Sequence, residues 1–278
     1  MDRIIRKNNK SEKNKKIQWH PAFCSAIRLE LVANKGDLEY NSEYGLNTKP
    51  IQIDLLVIKK LQNAYIENDI GRIFRTHNII EYKSPQDELN IDTFFKVMAY
   101  ACLYKARGKT VDAIKLEEIT MTFIRKGKPQ SLFKQLMKYG ITIEEKKNGI
   151  YYIDSGFIFE IQIIVTKELD DGHVWLTSLA DNITERKAEE LVDRVVSLTQ
   201  KDDKEYADSV LQVAMQSNKE VFDRIKGADV MCEALMELMK PEFDAALEKQ
   251  VAIEVEKQVN AKVKEQVEAQ VAKATADK

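Results

Sequence analysis

Within IQIDLLVI, residues 51–58, a single carboxylate, Asp54, interrupts a run that otherwise reads as a buried β-strand. Burying a lone carboxylate costs several kcal/mol unless something compensates it, so a fold that buries this strand must give Asp54 a partner. The next strand-like segment, NIIEYK at 78–83, carries Glu81 and Lys83 two residues apart and is stopped by Ser84 and Pro85. Side chains alternate along a strand, so Glu81 and Lys83 point to one face and Tyr82 to the other. Two carboxylates from neighbouring strands beside one ammonium group make a hard-oxygen pocket suited to Mg²⁺.

The flanking segments give this pair a frame. Residues 21–33, PAFCSAIRLELVA, predict a first helix, with Pro21 suited to its opening turn. Phe23, Ala26, Ile27, Glu30 and Leu31 fall at helical offsets on one face, so Glu30 sits among apolar residues and is a third acid able to join the cluster. DLEYNSEYGL at 37–46 predicts a strand joined to the Asp54 strand through NTKP, and the segment 59–78 is left without an assignment. A helix over 90–107, a strand over 118–125, a short helix SLFKQLMKYG and a hairpin from YYI to FIFEIQIIV follow. That order implies an α/β domain whose sheet mixes parallel and antiparallel pairings.

Four regions are expected: a basic tail over 1–16, a sheet domain over 17–182, a helical extension over 183–245 and a charged, repetitive helix over 246–278. In the last of these, valine recurs every four residues from Val251 to Val271. Four helical steps turn about 400°, so the stripe drifts by about 40° per valine and forms no straight heptad seam. A charged solvated helix and an element for homo-oligomerisation through the C-terminal helices both remain open.

Other chemistries find little to build on. Cys24, Cys102 and Cys232 are far apart and are expected to be buried thiols, while His20, His77 and His173 are scattered, so neither a zinc site nor a catalytic triad is supported. No GxxxxGK[ST] or GxGxxG motif occurs, and no apolar run reaches the length of a membrane span, so no membrane partner and a cytoplasmic location are expected. A net charge of -2 gives no global attraction to nucleic acid, which leaves any binding to a local basic patch.

In an acid-bearing helix, then QIDLLVI, then IIEYKSP, then a helix starting near NIDTFFK, the chain resembles the PD-(D/E)XK nuclease superfamily, in its recombination-promoting, transposase-like branch. The resemblance covers roughly residues 17–180. It implies a restriction-endonuclease-like mixed sheet flanked by helices, and a nuclease acting on DNA with Mg²⁺, for which Mn²⁺ substitutes. It makes Asp54 the motif aspartate, Glu81 and Lys83 the ExK pair, and Glu30 the helical glutamate that joins Asp54 and Glu81 on the metal. Lys96 and Tyr100 occupy the place of an auxiliary phosphate-contacting residue, with packing as the alternative. Ile53 stands where the motif often has proline. A non-catalytic nucleic-acid-binding or scaffolding protein that keeps the fold is the rival expectation.

Overall fold

The computed structural model describes residues 17–45, 52–59, 61, 63–154, 156 and 158–225. Helix α1 (Trp19–Glu30) holds Pro21 in its first turn, where no intrahelical N–H bond is required, and gives way to a 3₁₀ turn at Val32–Asn34. Strands β1 (Leu38–Gly45), β2 (Gln52–Lys59) and β3 (His77–Lys83) then pair antiparallel in sequence order. Helix α2 (Ile91–Lys105) starts where the Asn90 side chain accepts from the Thr93 N–H at 2.9 Å, and carries the chain over to β4 (Ile119–Arg125), parallel to β3.

Helix α3 (Gln130–Lys138) leads into β5 (Thr142–Lys147), β6 (Ile150–Asp154) and β7 (Glu160–Val165), the last returning beside β4 in parallel. The result is an α/β protein with a seven-stranded mixed sheet of order β1-β2-β3-β4-β7-β6-β5. Its central three strands, β3, β4 and β7, run parallel and are buried on both faces, as their largely apolar sequences require. Strand β5, TIEEKK, has no counterpart in the sequence reading, since its residues are almost all exposed and its pairing with β6 is what marks it as a strand.

On one face, Phe94, Val97 and Ala101 of α2 and Leu132 and Leu136 of α3 pack against Ile79, Met121, Phe123 and Ile163, with the Phe94 and Phe123 rings stacked at 5.3 Å. On the other, Phe23 of α1 stacks on Tyr82 at 4.5 Å. The unassigned segment between β2 and β3 completes that second layer by burying Ile66, Ile70, Ile73 and Phe74. Its anchors are polar: Gln162 Nε2 donates to the Ile70 carbonyl at 2.8 Å, and Asn78 Nδ2 donates to the carbonyls of Val57 and Arg75 at 3.0 and 2.8 Å. Gly71 sits so close to its neighbours that a Cβ there would lie 2.3 Å from Ile66 Cγ2.

Four more helices follow: α4 (Val174–Thr177), α5 (Glu185–Ser197), α6 (Lys201–Ser217) and α7 (Lys219–Ile225). Helix α6 packs along α1, and Lys35 Nζ reaches Asp203 Oδ2 at 3.3 Å. Because of this second partner, α1 is buried on most sides, more than a single apolar stripe provides. The chain divides into compact units at residue 225, and the second, 226–278, lies outside the described residues together with the valine stripe, the boundary at 245 and Cys232. The basic tail 1–16 lies outside them too. Cys24 is buried, but Cys102 is exposed, against the expectation of a buried thiol. Among the described residues no helix is long and apolar enough to cross a membrane.

Candidate metal centre

Asp54 falls in a gap of both its ladders. The β1–β2 register pairs Ser42 with Leu55 and Tyr44 with Ile53, and between them Glu43 adopts the left-handed φ of 51°. A non-glycine residue in that region stores backbone strain, which tends to persist at functional positions. The β2–β3 register ends at Leu55 and Ile80, one pair short of Asp54 and Glu81. The Asp54 side chain takes over there, with Oδ2 accepting from the Tyr82 N–H at 2.9 Å. His20 Nδ1 stands 3.8 Å from the same oxygen.

The Asp54 carboxyl is pushed up to about 6 from an ordinary value of 3.8, first by burial and then by the negative charge of Glu81. His20, the Tyr82 N–H and Lys83 act in the opposite direction and leave that rise uncancelled. Glu81 is buried, and its Oε1 accepts from Lys83 Nζ at 2.6 Å, as two residues sharing one strand face allow. Alongside, Arg125 of β4 pairs in register with Lys83; its Nε is buried without a partner among the described residues, and burial lowers its pKa. This second cation at the strand ends escaped the sequence reading, because only the parallel register brings it beside Lys83.

Glu30 does not join this pair. Its Oε2 accepts from Asn68 Nδ2 at 3.2 Å and lies 3.1 Å from His173 Nδ1, while Oε1 accepts from the Leu176 N–H at 3.2 Å. Glu30 closes the C-terminal end of α1 while His20 meets Asp54 at the N-terminal end, so the expected third metal ligand is instead part of a buried network that ties α1 to Asn68 and α4. Two of the three histidines, which the sequence spacing gave no role, thus attend two of the three candidate acids, His20 beside Asp54 and His173 beside Glu30, while His77 bonds Tyr104. Lys96 is exposed and lies 5.7 Å from the centroid of the half-buried Tyr100 ring; the two form a cation–π pair on α2.

A cavity of about 440 Å³ opens at Asp54, bounded by His20, Cys24, Arg28, Ser42 and Tyr206. Its Arg28 guanidinium is held by Cys24 O at 3.0 Å and Ser42 Oγ at 3.3 Å and lies between the Tyr40 and Tyr206 rings. Burial raises the pKa of the neighbouring Cys24 thiol, which keeps it protonated.

Among the described residues no group of three or more His, Cys, Asp or Glu side chains is arranged to hold a metal ion. The candidate donor set is the pair Asp54 and Glu81, whose like charges repel. That set fits Mg²⁺, which keeps much of its water shell and is commonly held by one or two carboxylates together with substrate phosphate oxygens. The repulsion that raises Asp54 is what a divalent cation would relieve. Comparison with protein-family models, with curated proteins and with solved structures returns no match to this chain.

Proposed function

We propose that the chain is a metal-dependent nuclease of the PD-(D/E)XK type, in the recombination-promoting, transposase-like branch, hydrolysing phosphodiester bonds in cytoplasmic DNA. The observation that carries this reading is the under-compensated Asp54 beside Glu81, with Lys83 on the same strand face as Glu81. A hairpin entering a mixed sheet, followed by a helix and a parallel strand, agrees with a restriction-endonuclease-like frame. Asp54 and Glu81 would hold Mg²⁺, or Mn²⁺ in its place. When bound, the ion supplies acidification of a water molecule and neutralisation of phosphate charge. Lys83, on the same strand face as Glu81, would orient the attacking water and stabilise the charge developing on the phosphate oxygens.

Incubating supercoiled plasmid DNA with the protein, with and without Mg²⁺ or Mn²⁺, tests this. Metal-dependent nicking or linearisation, absent in Asp54→Asn, is the expected result; intact plasmid in both metals refutes it.

One observation favours a second reading. With no third ligand among the described residues and Glu81 closed by Lys83, the site also suits a nucleic-acid-binding scaffold that keeps the fold without catalysis and self-associates through its C-terminal helices. Oligonucleotide binding without cleavage would select it.

A further inference from the structure

Beside Lys83, the C-terminal ends of the parallel strands carry further cations that the catalytic reading leaves unused. Lys83 pairs in register with Arg125, and Arg125 pairs with Val165 of β7. The chain leaves β4 through Lys126 and β7 through Thr166 and Lys167, and the Lys167 N–H donates to the Lys126 carbonyl at 3.1 Å, which keeps these two exits side by side. Lys126, Lys167 and Lys187 then line one cavity of about 180 Å³ together with Thr166, Asn182 and Thr184.

Lys187 enters from the first turn of α5, where its N–H donates to the capping Thr184 Oγ1 at 3.3 Å. The carboxylate in contact with these cations is Asp181, bonded to Lys126 Nζ. Lys167 and Lys187 form no ion pair among the described residues. Three lysines, with Asp181 on Lys126 and Asp171 in electrostatic reach of Lys187, leave a net positive cluster that, with hydroxyl and amide groups around a small cavity, suits a tetrahedral oxyanion. The cavity lies where the chain leaves β4 and β7, one and two strands over from Lys83 at the same end of the sheet.

We propose that this lysine pocket binds a backbone phosphate of the nucleic-acid strand whose scissile phosphate sits at Glu81 and Lys83. The identity of the strand rests on the nuclease reading. The pocket itself rests on the lysine geometry.

The test is anisotropy of a labelled single-stranded oligonucleotide in metal-free buffer from 50 to 200 mM salt, for the wild type, the double variant Lys167→Ala/Lys187→Ala and the single variant Lys167→Glu. The pocket holds one phosphate, and a lost phosphate contact removes about 0.7 from the salt slope of a single strand, so the double variant loses about 0.7. The affinity lost over that salt range then becomes about 2.6-fold smaller. Lys167→Glu, an exposed position that keeps the fold testable should the double variant unfold, binds more weakly than wild type. Mn²⁺ uptake stays unchanged in all three. An unchanged slope with unchanged affinity overturns the pocket, and if wild type still cleaves plasmid the nuclease reading survives it. A reduced slope in a protein that cleaves nothing keeps the pocket and removes the nuclease. Inorganic phosphate is the competing probe: if it binds the wild type and not the double variant while the oligonucleotide slope stays unchanged, the pocket takes free phosphate and the strand assignment fails.

Discussion

Glu30 and Asp54 are both acids in apolar segments of sequence, and the fold treats them in opposite ways. Glu30 is met on both oxygens: Asn68 and His173 reach one, and the Leu176 N–H reaches the other. Asp54 has one backbone donor, a histidine 3.8 Å away and a second carboxylate raising its pKa. A buried carboxylate completed by fixed donors holds the frame together. One left short beside a like charge marks a place where an added cation lowers the energy.

The largest effect expected from this contrast is on stability at Glu30. Glu30→Ala strands Asn68, His173 and the Leu176 N–H, and breaking a buried network of this kind costs about 3–5 kcal/mol. Thermal melting checks it. If the variant melts like wild type but loses Mn²⁺ uptake, Glu30 belongs with the metal site and the contrast fails.

The complementary effect belongs to Asp54. Mn²⁺ at about 100 times its dissociation constant should stabilise wild type by about 2.7 kcal/mol and leave Asp54→Asn unmoved. Equal metal-induced shifts in both would place the ion elsewhere.

Without metal, Asp54→Asn should be the more stable protein at high pH. The Asp54 carboxyl keeps its proton up to about 6 in the folded chain, against 3.8 for the ordinary group, so between these values the folded state binds more protons than the unfolded one. Wild-type stability therefore falls as pH rises through that window and levels off above it. Asparagine removes the penalty, a gain of about 3 kcal/mol at pH 8 that largely vanishes near pH 4. Melting curves at the two pH values measure it, and a gain of the same size at both would assign it to packing. The smallest effect is at the exposed Lys96, where Lys96→Ala should cost about 0.5 kcal/mol, its cation–π contact with Tyr100, in the same melting assay.

Much of the frame around Asp54 was legible in the sequence, because apolar periodicity and breakers report directly on local structure. The segments around Asp54 and Glu81, the α2 helix and the α6 helix all lie within a few residues of where the sequence puts them. Strand β5 was hidden because its pairing with β6, and no buried face of its own, makes it a strand. The direction of Glu30 was hidden for a related reason. Helical spacing correctly places it on a buried face, but the partner that claims it, His173, is 143 residues away. Arg125 and the three lysines likewise come together through strand register and chain exits that no local pattern records.

Lys83 tests the account most directly, since Asp54 and Glu81 are assigned to the metal and Lys83 to the water and the developing charge. Plasmid cleavage in Mg²⁺ and Mn²⁺ calorimetry should be run together on wild type, Lys83→Ala and Asp54→Ala. Losing one preorganised electrostatic contact commonly costs about 10²-fold to 10³-fold in rate. Lys83→Ala should therefore cleave slower by about that factor while taking up Mn²⁺ at least as well as wild type, because the cation now bonded to Glu81 Oε1 is gone. Asp54→Ala should lose both properties. Equal cleavage by wild type and Lys83→Ala would contradict the assignment, and a wild type that neither cleaves nor takes up Mn²⁺ would contradict the metal centre itself.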